Sequence, residues 1–334
     1  MKNSLIVMDS DKTDLVYGPE QIREIASLTA LQADPVPPEQ LTEQPELLSE
    51  VEIIFSGWGL GTVDEKFLAN APCLKAIHHG AGSVRSIATT EMFERGVVLT
   101  SAWKENAVPV AEFTFARIIL GLKSATRIEA QLLESRDWHG ERRKAESMPG
   151  SYRSTVGLVS LGAIGRRVLE FLKMTDIAAL VHDIPGTEDA IIAAGGIPTG
   201  LDDLFRTCDV VSLHTALLPE TRGMISGAHI RSMKPGAVFL NTARGGLIRQ
   251  VEMLSALAVR KDLTVFLDVV DPEPPPPDSE LFTLPNVHVT PHIAGSLGVE
   301  CRRLGQSAID ECHRRLSGQP LRNEVTPGML ETMA

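Results

Sequence analysis

Short apolar runs alternate with charged, helix-compatible segments along most of the chain. In the first hundred residues the runs are "SLIVMD", "VEIIFSG", "LKAIHHG" and "GVVLTS". A second series begins near residue 155 and contains "TVGLVS", "AALVHD", "DVVSLH", "AVFLNT", "TVFLDVV" and "VHVTPH". Strands this continuously apolar are typical of parallel sheets covered by helices on both faces. The pattern therefore predicts two α/β units, one after the other along the chain.

Three further segments have distinct patterns. Residues 106–122 are apolar nearly all the way round a helix, which predicts burial on more than one side, as at a subunit or domain interface. The run "DPEPPPPD" at 271–278 is excluded from helices and central strands, so we expect a stiff surface loop. The segment "GVECRRLGQSAIDECHRRLSGQP" predicts an amphipathic helix that ends at Gly318 and Pro320.

Composition narrows the class of partner. The chain has 334 residues, 43% of them hydrophobic, which is enough for the cores of two domains. Its net charge of −11 argues against a nucleic-acid or anionic-membrane surface, because such surfaces need clustered Lys and Arg. Four scattered cysteines predict a reducing compartment and no metal site. With neither a signal-peptide nor a transmembrane pattern, we expect a cytoplasmic protein with small-molecule partners.

The stretch "VGLVSLGAIG" at 156–165 resembles a dinucleotide-binding turn between a strand and a helix. Ser160 replaces the first glycine of that motif, and this predicts an ordinary φ there, while Gly162 and Gly165 are kept. The turn, including Ala163 and Ile164, would present helix N–H groups to a pyrophosphate. Asp183, at the end of the next strand, is expected to bind the ribose hydroxyls of NAD. Without that acid, an accidental spacing in an ordinary strand-turn-helix would be an equal alternative.

Four polar residues follow later strands and fit hydride transfer to a 2-keto acid. Arg244 follows "LNTA", Asp268 and Glu273 lie in "FLDVVDPEP", and His292 lies in "VTPHIAGS". Arginine offers a planar fork for a carboxylate, histidine titrates near working pH, and a nearby carboxylate favours its protonated form. Taken singly, each has a plainer interpretation as a surface charge or a strand-end residue.

Five motifs in order carry a family resemblance: "GLVSLGAIGRRV", "HTALLPETRGMI", "MKPGAVFLNTARGGLI", "LDVVDPEP" and "VTPHIAG". Through them the chain resembles the D-isomer-specific 2-hydroxyacid dehydrogenases over roughly residues 106–296. The resemblance implies a Rossmann-type doubly wound domain at 105–296. It also implies a smaller, discontinuous flavodoxin-like substrate domain at 1–104 and 297–334, with the active site in the cleft. It further implies a homodimer through the helix after the first hinge.

The same resemblance implies the roles of individual residues. Arg244, Glu273 and His292 match the catalytic set, in which His292 is the acid and base, Glu273 assists it, and Arg244 binds the substrate carboxylate. Asp268 matches the residue that holds the nicotinamide carboxamide. Three more residues are expected beside the cofactor at strand ends: His214, Thr242 and Ala243.

Other positions depart from the family or stay ambiguous. Backbone amides of Ala81, Gly82 and Ser83 are expected to cradle the substrate carboxylate, although the Asp-Asn that commonly follows in the family is missing. Arg85 either binds a second acidic group of the substrate or is a solvated surface residue. Two tryptophans share an ambiguity between substrate contact and packing: Trp58 as a lip over the substrate, and Trp138 as a residue reaching a partner's active site.

Three functions remain open. An NAD-dependent 2-keto acid reductase is favoured. A formate-oxidising relative would pair glutamine with the histidine, which Glu273 argues against. A non-enzymatic NAD(H) sensor on the same fold would keep the same residues, so the residues themselves do not exclude it.

Overall fold

The computed structural model describes residues 1–148 and 150–332; Pro149 lies outside the described residues, as do the last two residues of the predicted segment 297–334. The chain folds into two compact units. One is Met1–Ala107 with the described part of Ser296–Ala334, and the other is Val108–Gly295. These limits lie close to the predicted boundaries at 104/105 and 296/297. We call them unit 1 and unit 2.

Unit 1 contains one six-stranded sheet in the order β13-β5-β4-β3-β1-β2. Its strands are β1 (Asn3–Val7), β2 (Ala30–Leu31), β3 (Ile53–Ser56), β4 (Ala76–His79), β5 (Val98–Ser101) and β13 (Glu324–Val325). Its helices are α1 (Ser10–Val16), α2 (Pro19–Leu28), α3 (Pro38–Glu43), α4 (Glu65–Asn70), α5 (Thr90–Glu94) and α14 (Cys301–Leu316). Strands β1 to β5 are parallel and β13 is antiparallel to β5. The order 2-1-3-4-5 is that of flavodoxin-like sheets.

Unit 2 contains a seven-stranded parallel sheet in the order β12-β11-β10-β9-β6-β7-β8. Its strands are β6 (Thr155–Val159), β7 (Ala178–His182), β8 (Ile197–Pro198), β9 (Val210–Leu213), β10 (Val238–Asn241), β11 (Thr264–Leu267) and β12 (Val287–Val289). Its helices are α7 (Ala125–Ser135), α8 (Trp138–Glu146), α9 (Ala163–Leu172), α10 (Glu188–Ala194), α11 (Leu201–Thr207), α12 (Gly227–Ser232) and α13 (Gln250–Val259), preceded by α6 (Trp103–Leu122), which begins in unit 1. Apolar cores lie on both sheet faces, as continuously apolar strands require.

The predicted fold class, a Rossmann-type sheet domain with a smaller flavodoxin-like one, is confirmed. Each predicted apolar run forms a strand, whereas β2, β8 and β13 were not predicted because two residues carry no periodic pattern. The proline run forms neither helix nor strand, as expected. Within the described residues, none of the helices has the length and apolar character needed to cross a membrane.

Helix α6 is buried only in part within this chain. It extends the predicted segment 106–122 by one turn at its start and contains Pro109. Ala111 and Ile118 are fully buried, whereas Leu120 is 46% exposed. The predicted burial of this helix on more than one side is therefore only partly observed in the single chain.

Candidate active site

The carboxyl ends of the unit 2 strands are aligned in register, which gathers the residues that follow them at one edge of the sheet. Val159 pairs with His182 and with Leu213, and the alignment continues through Asn241 and Leu267. Ligands of open α/β sheets bind at this edge, where the order of the strands reverses. The residues directly after these ends are, in chain order, Ser160, Asp183, His214, Thr242 and Asp268.

The turn after β6 has the open geometry that a phosphate needs. Gly162 immediately precedes α9, and nothing lies within 4 Å of the place where a Cβ on Gly162 would stand. A side chain on Gly165 would instead collide with the carbonyl oxygen of Ser160, so this glycine allows helix and turn to pack closely. Ala163 and Ile164 form the first turn of α9, where backbone N–H groups have no helical acceptor.

Ser160 does not have the ordinary φ predicted for it. Its φ is +80°, in the left-handed region that glycine favours, while its amide donates to the carbonyl of His182 at 2.7 Å. The prediction was wrong because the tight connection from β6 to α9, and not the residue type, sets the backbone here. Serine accepts a conformation that costs about 1–3 kcal/mol for residues other than glycine.

Asp183 holds the nucleotide turn from the neighbouring strand. Its carboxylate accepts hydrogen bonds from the amide of Leu161 at 2.8 Å and from that of Ile184 at 2.9 Å. The group is half-buried. A carboxylate has about four acceptor positions, so capacity remains for the ribose hydroxyls of a dinucleotide.

His214 is a buried, neutral residue directly after β9. The residue is 8% exposed, and neither ring nitrogen has a hydrogen-bond partner among the described residues. Burial lowers the pKa of His214 to about 3. Its backbone amide donates to the carbonyl of Val159 at 2.9 Å, which places it beside the nucleotide turn. Unpartnered buried nitrogens fit a polar bound group, and with the open position at Gly162 they fit a dinucleotide.

The loop after β10 shapes the surroundings of Arg244. Asn241 accepts a hydrogen bond from the amide of Ala243 at 3.0 Å and donates its side-chain amide to the carbonyl of Arg244 at 2.8 Å. The hydroxyl of Thr242 lies 3.0 Å from that of Thr114 on α6. The guanidinium of Arg244 donates to the carbonyl of Ala243 at 2.7 Å. Sequence reasoning missed Asn241 and Thr114, although asparagine directly before a loop is a signal for such bonds.

His292 and Glu273 form a hydrogen-bonded pair. Nδ1 of His292 lies 2.6 Å from Oε1 of Glu273, and the two side chains are 50% and 41% exposed. His292 has a φ of +53°, and its turn is held by Asp268, which is 3% exposed. Asp271, an acid two residues before Glu273 in the same loop, instead lies 3.3 Å from a guanidinium nitrogen of Arg222. With Nδ1 facing an acid, Nε2 of His292 is the nitrogen available for proton transfer.

The substrate-loop residues predicted in unit 1 lie directly after β4. The hydroxyl of Ser101 donates to the carbonyls of Ala81 at 2.9 Å and Gly82 at 2.6 Å. In the part of the chain that the structure describes, the amides of Ala81, Gly82 and Ser83 donate no hydrogen bond to another backbone group. They therefore fit the binding of an anion.

The histidines before this loop are core residues. His79 pairs with the hydroxyl of Ser56 at 2.9 Å and His78 with that of Thr100 at 2.9 Å. Burial lowers the pKa of His78 to about 3 and that of His79 to about 4. Both rings are therefore neutral near pH 7, and they lie in the core at the end of β4, just before the loop begins.

The three ambiguous residues occupy exposed positions. Arg85 donates to the carbonyl of Leu330 at 3.0 Å. Trp58 is 37% exposed, and its carbonyl accepts a hydrogen bond from the amide of Asp9 at 2.9 Å. Trp138 is the first residue of α8 and is 69% exposed.

The aligned strand ends and the glycine turn define unit 2 as a dinucleotide-binding domain of the Rossmann class. Residues 115–294 match the family model described as D-isomer specific 2-hydroxyacid dehydrogenase, NAD binding domain. The chain therefore belongs to the D-isomer-specific 2-hydroxyacid dehydrogenases, and NAD is the cofactor of this domain. The resemblance seen in the motifs is confirmed.

Individual relatives agree with this assignment. A D-3-phosphoglycerate dehydrogenase of Mycobacterium bovis is 31% identical over 268 residues, which cover 80% of this chain and 50% of that protein. An (S)-sulfolactate dehydrogenase of Chromohalobacter salexigens is 28% identical over 76% of this chain and 81% of that protein. The crystal structure of the TT0316 protein from Thermus thermophilus is similar with a TM-score of 0.75 and 25% identity, covering 97% of this chain and 100% of that one. The chain spans about half the length of the D-3-phosphoglycerate dehydrogenases that it matches.

Proposed function

We propose that the protein interconverts a small 2-keto acid and the D-2-hydroxy acid with NADH and NAD. This proposal rests on the hydrogen-bonded pair of His292 and Glu273, in which Nδ1 and Oε1 lie 2.6 Å apart. Both residues follow strands that end at the sheet edge where Arg244 and the nucleotide turn also lie. NADH supplies a hydride to the carbonyl carbon of the substrate. The protein's own residues must then supply a proton for the carbonyl oxygen and a positive charge for the carboxylate.

Each residue has a role in this proposal. The imidazolium of His292 donates its Nε2 proton to the carbonyl oxygen as the carbon–oxygen double bond is reduced, and in the reverse direction neutral His292 accepts the hydroxyl proton. Glu273 stabilises the charged ring and fixes its orientation. Arg244 binds the substrate carboxylate with its planar fork. The amides of Ala81, Gly82 and Ser83 bind the same kind of group.

Cofactor contacts are proposed for the residues around the turn. The amides of residues 160–165 bind the pyrophosphate and Asp183 binds the ribose. Thr242, Ala243, His214 and Asp268 are proposed to lie near the nicotinamide, where the unpartnered ring nitrogens of His214 would meet polar atoms. We also propose that the protein functions in the cytoplasm, which is a reducing compartment.

A homodimer is proposed from exposed apolar side chains on consecutive helices. Leu120 of α6 is 46% exposed, Leu133 of α7 is 74% exposed and Trp138 of α8 is 69% exposed. Helix α7 has no buried residue in the single chain. A second copy would cover such residues.

Substrate screening tests the proposal. NADH oxidation is measured with glyoxylate, hydroxypyruvate, pyruvate and bulkier 2-keto acids. NAD reduction is measured with D-3-phosphoglycerate, sulfolactate and formate, because relatives named for the first two are similar to this chain. We expect turnover of at least one keto acid, abolished by His292→Ala.

Two results would favour the other functions. NADH binding, seen as a fluorescence change, without turnover of any substrate would support a sensor. Turnover of formate alone would support the formate-oxidising alternative, despite Glu273. Both results would contradict the proposed reductase.

A further inference from the structure

The turn that carries His292 is wrapped around a single buried acid. The carbonyl oxygen of Asp268 accepts the amide of His292 at 2.9 Å. Its carboxylate accepts the amides of Ile293 at 2.9 Å and Ala294 at 2.8 Å. Its Oδ1 also accepts the hydroxyl of Thr290 at 2.6 Å. One residue at the end of β11 therefore holds most of the loop after β12.

These hydrogen bonds to Asp268 explain how His292 keeps an uncommon backbone conformation. A φ of +53° is rare for a residue other than glycine, and it persists only where the surroundings over-determine it. Side-chain packing does not supply the restraint, because half of the His292 side chain is exposed. The backbone bonds of the turn supply it: the His292 amide donates to the carbonyls of Asp268 and Thr290, and the next two amides donate to the Asp268 carboxylate.

We propose that Thr290 is a positioning residue, whose hydroxyl holds the Asp268 carboxylate and thereby orients His292 toward Glu273 and the substrate; this rests on the proposed function. Among the four donors just named, Thr290 contributes a side chain, whereas the others are backbone amides. Its own amide donates to the carbonyl of Leu267 at 2.9 Å, which fixes the threonine against β11. The hydroxyl therefore joins a rigid strand to the strained turn.

The substitution Thr290→Val removes this donor with little change of shape. It leaves Oδ1 of Asp268 with the amide of Ile293 and creates no unpaired buried donor. We expect the turn to loosen and His292 to leave its productive geometry in the transition state. The expected result is kcat lowered roughly 10- to 100-fold with KM within about threefold, because a hydrogen bond to a charged group is lost.

Two matched variants accompany it. Thr290→Ser keeps the hydroxyl and should retain kcat within about threefold. Thr283→Val is the control, because Thr283 is exposed and its hydroxyl donates to the carbonyl of Glu280 at 3.2 Å, away from Asp268. The melting temperature and the NADH Kd are measured for each. If Thr290→Val does not fold, Thr290→Ala replaces it.

A double-mutant cycle with Glu273→Gln separates positioning from a general structural effect. If Thr290 acts through the His292–Glu273 pair, the Glu273→Gln loss in kcat should be at least threefold smaller in the Thr290→Val background. Additive losses, equal kcat for wild type and Thr290→Val, or failure of Thr290→Ser to retain kcat would overturn the inference.

A spectroscopic measurement keeps the inference separate from the proposed function. In protein labelled with ¹⁵N-histidine, the ring resonances of His292 are assigned with His292→Ala. They should shift in Thr290→Val as they do in Glu273→Gln, and stay near wild type in Thr290→Ser. Wild type that turns over no substrate would contradict the proposed function alone. Unshifted His292 resonances in Thr290→Val would contradict the role of Thr290.

Discussion

Glu273 and His292 lie 19 residues apart in the chain and make a 2.6 Å hydrogen bond between Oε1 and Nδ1. Each comes from a loop after a different strand, β11 and β12, which pair in parallel. The bond leaves Nε2 as the ring nitrogen available for the proposed proton transfer and places a carboxylate against the ring. This arrangement makes the pH dependence of the reaction a direct test of the pair.

The first prediction concerns Glu273→Gln. Glutamine keeps the size and a hydrogen bond but removes the charge that favours the imidazolium. In kcat/KM against pH, the alkaline limb for reduction should move to lower pH, because reduction needs the protonated ring. The acidic limb for oxidation should move in the same direction.

The alkaline limb for reduction and the acidic limb for oxidation report the same ionisation, so they must move together. Asp271→Asn is the control, because Asp271 faces Arg222 and not His292. Profiles unchanged in Glu273→Gln would show that Glu273 does not assist His292.

The second prediction concerns the cofactor. A carboxylate at the position of Asp183 can accept ribose hydroxyls but repels the 2′-phosphate of NADP, and the segment "IPGTED" after it offers no arginine. Wild type should prefer NADH over NADPH in kcat/KM, and Asp183→Ala should narrow this preference. Because Asp183 also holds the amide of Leu161, the KM for NADH should rise. Equal use of both cofactors by wild type would contradict the assignment.

The third prediction concerns Arg244→Lys. Lysine keeps the charge but not the fork that binds a carboxylate through two bonds. Losing one charge-assisted bond, worth about 1.5–3 kcal/mol, should lower kcat/KM roughly 10- to 150-fold. If the kcat/KM of Arg244→Lys stays within twofold of the wild-type value, Arg244 acts only as a positive charge and not as a two-bond carboxylate ligand.

The fourth prediction concerns Trp138 in the proposed dimer. If this 69% exposed side chain reaches the partner's active site, Trp138→Ala should change KM or the preference among 2-keto acids while light scattering still reports a dimer. Tyr152→Ala is a matched control, since Tyr152 is 66% exposed. Unchanged kinetics with several keto acids would assign Trp138 to packing.

The fifth prediction concerns acid stability. Burial lowers the pKa of His78, His79 and His214 to about 3, 4 and 3 from an unfolded value of 6.5. Between pH 6.5 and these values the unfolded chain binds more protons, so the free energy of unfolding falls as the pH falls. Each ring contributes at most about 1.4 kcal/mol per pH unit.

Urea unfolding at pH 7.5, 6 and 5 measures this dependence. His78→Gln should weaken it, whereas the exposed His139→Gln should not. A free energy of unfolding that stays constant from pH 7.5 to pH 5 would contradict the prediction.

The sequence by itself determined the fold class, and it supplied the set of site residues that we propose. Continuous apolar strands must be buried on both faces, so the runs around Val156 and Val265 specify a covered parallel sheet. Parallel strands end at one edge, and this alone predicts that Arg244, Asp268 and His292 lie near one another. Periodicity also located α9 and α14, because their apolar stripes are long.

The tertiary structure decided the backbone conformation of Ser160 and of His292. It also decided which partner Glu273 and Asp271 each have. Neither serine nor histidine requires a positive φ, so only the closure of the turns in the folded chain shows it. Glu273 and Asp271 are two residues apart in one loop, yet one faces His292 and the other Arg222. Likewise, the hydroxyl of Thr290 meets Asp268 across 22 residues of chain. Such pairings depend on three-dimensional distance, which periodicity along the chain does not encode.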